Sequence, residues 1–159
     1  MTKHKIFLPI ILFFTALIGF SAQAQTRWFT GLPDNDKVQS VFITSTLWQT
    51  FGVTSLPLGK NSEAAADLLK NLTAVEIINA NSKKAVNEVK PIISTVVKKL
   101  NLEVLTEVSD NETKMVVYGR TDGNYILNAM LVSEESKNSL SIIGLHGKIS
   151  MDAIKTLTE

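Results

Sequence analysis

His4 and His146 are the two side chains of this 159-residue chain whose ordinary titration falls near neutral pH. His4 sits in an N-terminal stretch that reads as removable. His146, in Gly144-Leu145-His146-Gly147, is then the general-base candidate. A serine hydrolase needs a serine, this histidine and an orienting acid to converge. Serines and acids are plentiful, but no nucleophile-elbow pattern surrounds any serine. The plain expectation is a strand-end histidine near a turn, so no catalytic residue is assigned.

Other candidates are weaker. Gly144, Gly147 and Lys148 lack the spacing of a phosphate-binding loop and precede no clear helix. Glu103 and Glu107 flank Leu105 on one side of an expected strand. Paired carboxylates can do acid–base work or hold calcium, but here they read as a solvated strand face. Asp110, Glu112 and Asp122 are turn acids without calcium-loop spacing. The chain has no cysteine, which excludes a thiolate metal site, a cysteine nucleophile and a disulfide framework. No metal and no cofactor is expected.

These residues need elements to position them, and the chain first carries an address. Lys3 and Lys5 precede the apolar run Ile6 to Phe20, and Ala22-Gln23-Ala24 has the small-x-small form of a cleavage site. Residues 1–24 read as a secretory signal peptide, with Ala22 and Ala24 at the cut and Gln25 as the new N-terminus. The apolar run is shorter than the roughly 20 residues that span a bilayer. No stable membrane span is expected after cleavage. With Lys3 and Lys5 removed, the 16 basic residues become 14 against 15 acidic ones. A net charge so near zero speaks against capture of nucleic acid.

Residues 25–37 form a lead-in rich in turn formers, with Trp28 and Phe29 expected to fold back onto the domain. Residues 38–159 read as one domain. Val38 to Thr44 alternates and is rich in β-branched residues, which predicts a strand. Ser45 can cap a short helix carrying Leu47, Trp48 and Phe51. A second helix is expected after Asn61 or Ser62, through Leu68 and Leu69, and Ala74 to Ile78 reads as a short buried strand. Asn81 and Ser82 open the longest helix. Val86, Val89, Ile93, Val96, Val97 and Leu100 form its apolar stripe, and Pro91 predicts a kink or a break.

Leu102 to Val108, Lys114 to Arg120, Tyr125 to Val132 and Leu140 to Ile143 then read as strands. Ser150 would cap a closing helix carrying Met151, Ile154 and Leu157. Helices must pack on a sheet face. The expected fold is α+β: a two-layer sandwich with a mixed sheet of about five or six strands, ending in an antiparallel meander, with helices on a face.

Asp122-Gly123 is a strong hairpin signal. A two-residue loop there would pair Arg120 with Tyr125 and Tyr118 with Leu127. It would send Leu127 and Leu131 into the core against Val89, Ile93 and Val96. The opposite face would carry Met115, Val117, Ile126, Met130 and Val132. That face is too apolar for solvent, so it is either buried in the middle of the sheet or a contact surface for a partner protein.

Four features together resemble a known family. They are the export signal, Val41-Phe42-Ile43-Thr44-Ser45, the hairpin pair Val116 to Arg120 and Ile126 to Val132, and the ending Leu140 to Ile149. They are similar to the DUF4252-like family, an uncharacterised group of small exported proteins of Bacteroidetes. In that pattern a strand runs to a glycine, an Ile-Asp pair and a final helix. Here Gly147 leads to Lys148-Ile149-Ser150-Met151-Asp152, so the acid is displaced. The resemblance implies an envelope location and at most a link to envelope signalling, and it carries over no functional residue.

The expected function is a non-catalytic exported protein of the periplasm or outer envelope, or one released to the medium, that binds another envelope protein. The alternative is a small hydrolase using His146 with a serine and an acid.

Overall fold

The structure is a computed structural model that describes residues 26–51 and 68–152. The cleavage site at Ala22, Ala24 and Gln25, most of the helix expected before Leu69 and the closing helix beyond Asp152 lie outside the described residues. Six strands form one sheet: β1 (Val38–Thr44), β2 (Leu72–Ala80), β3 (Glu103–Ser109), β4 (Thr113–Asp122), β5 (Tyr125–Glu135) and β6 (Ser139–Ser150). Among the described residues two complete helices accompany them, α1 (Ser45–Phe51) and α2 (Lys83–Lys99).

The spatial order is β1-β2-β6-β5-β4-β3. Every pairing is antiparallel, so the sheet is not mixed as expected. The last strand returns from the meander and inserts beside β2, which places both β2 and β6 inside the sheet and leaves β1 and β3 at its edges. Short turns dictated the meander, but the β2–β6 pairing spans about seventy residues and is a matter of tertiary packing.

Ser82 caps α2: its hydroxyl oxygen accepts from the Ala85 N–H at 3.1 Å. Val86, Val89, Ile93 and Val96 are buried as one stripe against the sheet. The helix runs unbroken through Pro91. The Pro91 carbonyl accepts a hydrogen bond from the Thr95 hydroxyl one turn on.

The sheet carries a core on each face. On the α2 face, Ile78, Ala80, Met130, Val132, Leu140 and Ile142 meet the helix stripe and Phe29. On the other face, Trp48 of α1 joins Leu68, Leu69, Leu72, Val75, Ile126, Ala129, Leu145 and Ile149.

The hairpin differs from the expected register. Gly123 and Asn124 form the loop, with Gly123 at φ 61°, so Asp122 pairs with Tyr125 and Arg120 with Leu127. Beyond Leu127, β5 holds one residue more than β4, a bulge at Asn128, which adopts φ 58°. A bulge reverses the alternation. Ile126 therefore faces the α1 side with Ala129 and Leu131, while Met130 and Val132 face α2. Leu127 and Leu131 are only half-buried, and neither meets Val89, Ile93 and Val96.

The expected partner surface of Met115, Val117, Ile126, Met130 and Val132 is corrected accordingly. Val117, Ile126, Met130 and Val132 are buried in the folded monomer, Met130 with no exposure at all, and Met115 is half-buried. They divide between two cores because the bulge splits one apparent face into two.

Bulges recur along one line across the sheet, at Leu105 in β3, Asn128 in β5, Gly147 in β6 and Thr73 in β2. The Gly147 N–H donates to Asn128 Oδ1 at 3.1 Å, which ties neighbouring bulges together. Gly147 stands at φ 125°, and a Cβ there would lie 2.6 Å from the Asn71 carbonyl oxygen.

Candidate functional site

His146 lies within β6 and not at its end, and it is only 8% exposed. It pairs with Ala74 on β2, and its diagonal neighbour there is Glu76, which has no exposed surface. Glu76 pairs with Gly144 across the ladder and with Phe42 on the other side, so its side chain rises on the α2 face among Phe42, Gly144 and His146. His146 Nε2 is 3.1 Å from Glu76 Oε2. The tautomer with hydrogen on Nε2 donates to the carboxylate and satisfies both groups.

The lead-in closes over this pair. The Trp28 N–H donates to Glu76 Oε2 at 3.0 Å, and the Phe29 N–H donates to Glu76 Oε1 at 3.1 Å. The Trp28 indole lies flat on the His146 imidazole, with centroids 3.8 Å apart and planes 14° apart. Phe42 meets the same imidazole edge-on at 5.8 Å, and the Arg27 guanidinium sits over the Phe42 ring at 5.0 Å. The stack needs a residue without a side chain beneath it. A Cβ on Gly144 would come within 3.0 Å of Trp28 Cε3.

A buried carboxylate is costly unless hydrogen-bonded. Here both oxygens accept backbone donors from the strap and one also faces the imidazole. The arrangement can fasten the N-terminal segment to the sheet, and it places a carboxylate against a histidine as an orienting acid would be placed. The hydroxyl of Thr73 is also near, but it donates to the His146 backbone carbonyl at 3.3 Å and not to the ring. Among the described residues no serine hydroxyl is hydrogen-bonded to the His146 ring.

The remaining candidates are dispersed. Gly144, Gly147 and Lys148 lie along β6, with the Lys148 ammonium 4.2 Å from the centre of the Tyr125 ring. Glu103 and Glu107 are exposed, and Glu107 pairs with Lys114 at 3.0 Å. That contact, the hydrogen bond before the charge, raises the Lys114 ammonium above its usual range. Asp110 accepts from the N–H groups of Thr113 (2.7 Å) and Glu112 (2.9 Å), which holds its carboxyl below the usual range. Asp122 ends β4. No cluster of three or more acids and histidines that could hold a metal occurs among the described residues.

A separate groove of about 280 Å³ opens between α2 and the sheet, floored by Ile93, Val116, Val132 and Leu140. The Lys90–Glu134 and Lys114–Glu107 ion pairs rim it.

The model of a domain of unknown function, DUF4252, matches residues 29–157, most of the chain and all six strands. The chain belongs to the DUF4252 family. Neither the curated proteins nor the solved structures provide a match. The matched span of this DUF4252 chain includes Glu76, Gly144 and His146, and it begins at Phe29, inside the strap.

Sequence reasoning singled out His146 and the fold-back of Trp28 and Phe29. It missed Glu76, which stood unremarked inside the apolar run of β2. A lone acid flanked by Val75 and Ile77 was the available signal, because a charge amid a buried strand must find partners. No helix among the described residues is long and apolar enough to cross a membrane.

Proposed function

We propose that this protein is exported to the cell envelope and works there by binding another protein, without catalysis. The export half of the reading rests on Met1 to Ala24. The binding half rests on one observation: among the described residues, five of the seven exposed large apolar side chains lie on the two edge strands and the helix that continues one of them, the others being Tyr125 and Met151. Val104 and Val108 protrude from β3, Val41 from β1, and Leu47 and Phe51 from α1. Apolar side chains that protrude at a sheet edge offer a partner surface to bury, which on β3 needs no pairing through the strand's backbone. A tie to envelope signalling would be one use of such a surface.

The non-catalytic half is supported by the saturation of Glu76. Its oxygens already receive the Trp28 and Phe29 amides, and Trp28 covers the imidazole. The hydrolase alternative draws on the 3.1 Å contact of His146 with Glu76, which resembles the orientation of a general base.

Cell fractionation and N-terminal sequencing test the location, with Gln25 expected first. Cross-linking in intact cells should yield an envelope partner whose capture is lost in a folded Val104→Lys/Val108→Lys variant. Retained capture in that variant removes the edge-strand reading. Hydrolysis by the purified protein that falls roughly 100-fold or more in His146→Ala, without unfolding, replaces binding with catalysis.

A further inference from the structure

The two edges of the sheet are built differently. β3 carries Glu103 and Glu107 and is interrupted by the bulge at Leu105. Charges and bulges are the devices that keep an edge from pairing. β1 has neither. Its seven residues, Val-Gln-Ser-Val-Phe-Ile-Thr, contain no charge, no proline and no glycine. Its register with β2 runs unbroken from Val38 opposite Ala80 to Thr44 opposite Ala74. Among the described residues no strand pairs with its outer side.

We propose that the outer edge of β1 pairs with β1 of a second copy of this chain, joining two six-stranded sheets antiparallel across a two-fold axis. The strand is self-compatible in the register centred on Val41. That register sets Val41 against its own symmetry mate, Ser40 against Phe42, Gln39 against Ile43 and Val38 against Thr44. Each pair keeps the face it already has, with α2 of both copies on one side. No pair brings like charges together. Just beyond the strand, Lys37 meets Ser45 rather than a lysine. The same centre on β3 would carry the bulge at Leu105 into the ladder and set Val104 and Val108, which lie on opposite faces, against each other.

Val41 is 47% exposed for a β-branched side chain in a sheet, and the axis would bury it against its mate. A single strand pair falls short of the roughly 1,600 Å² of a standard interface. α1 continues directly from β1, and its Leu47 and Phe51, one helical turn apart, add exposed apolar surface next in the chain to the same strand, Phe51 being 69% exposed. This association does not require the envelope partner proposed above.

The chain has no cysteine, so one introduced thiol reports its own environment. Sedimentation of the purified, processed protein should give a dimer. Val41→Cys should form an inter-chain link under mild oxidation or with a short bis-maleimide, because antiparallel neighbours lie on the order of 5 Å apart. Val108→Cys, more exposed at 61% but on β3, should link far more slowly. Val41→Lys, folded by circular dichroism, should weaken the dimer on the order of tenfold or more, since it sets like charges opposite each other. A monomer at high micromolar concentration, or linkage of Val108→Cys as fast as Val41→Cys, overturns the proposal. A dimer unaffected by Val41→Lys overturns it too. Failure of the edge-strand partner reading would show instead as a dimer that captures nothing through Val104 and Val108.

Discussion

The carboxylate of Glu76 and the imidazole of His146, seventy residues apart in sequence, meet at 3.1 Å beneath the Trp28 ring. Neither side chain faces solvent. Their contact joins β2, β6 and the N-terminal strap at one point.

Removing the carboxylate should release the strap. Glu76→Ala leaves the Trp28 and Phe29 amides and the imidazole without their acceptor, and each orphaned buried group costs about 1–3 kcal/mol. Glu76→Gln keeps one accepting oxygen, so it should lose less. Urea unfolding of the two variants measures the difference. Equal stability of Glu76→Ala and the parent protein would mean that the strap is not held by this residue.

Gly144 is the floor of the Trp28–His146 stack. Gly144→Ala places a methyl group about 3.0 Å from Trp28 Cε3. The ring must lift, and overpacking of this kind costs roughly 1–3 kcal/mol. Tryptophan fluorescence and near-ultraviolet circular dichroism should change with it, while far-ultraviolet circular dichroism stays the same.

Met130 and Leu127 separate the two readings of the hairpin. Met130 is fully buried beneath α2, so Met130→Asp buries an unpaired charge and should unfold the monomer. Met130→Ala should cost about 2–5 kcal/mol, and Leu127→Ala, at a half-buried site, distinctly less. Thermal melting of the purified variants gives the order. A folded Met130→Asp would place this residue on the surface after all.

The β3–β4 turn should loosen in acid. Hydrogen bonds from the Thr113 and Glu112 amides hold the Asp110 carboxyl below its usual value. Its contribution is therefore present above the unfolded carboxylate range and is lost as pH falls through the lower, folded value. Amide shifts of Glu112 and Thr113 followed by NMR should titrate below about pH 4 and become insensitive in Asp110→Asn. A midpoint above the ordinary carboxylate value would contradict the assignment.

Local chemistry made much of the fold legible. The alternation of Val38 to Thr44, the Ser82 cap and the stripe from Val86 to Val96 each fix an element through contacts within a few residues. Turn signals at Asp110-Asn111 and Asp122-Gly123 marked a meander. The family likeness rested on the same hydrophobic patterns.

Only the tertiary structure decided how those elements meet. A period of two says that a strand has two faces; it names neither the neighbour nor the face that lies inward. The bulge at Asn128 shows why: one extra residue sends Ile126 and Met130, which share a parity in sequence, to opposite cores. The place of β6 beside β2 depends on pairings across about seventy residues, where no local propensity acts. The burial of Glu76 follows from that placement, because only β6 brings His146 and only the strap brings two amide donors to one carboxylate. The sequence by itself determined the elements, the caps and the absence of cysteine chemistry. Packing determined which polar residue is buried, since the desolvation that must be offset exists only once the strands stand side by side.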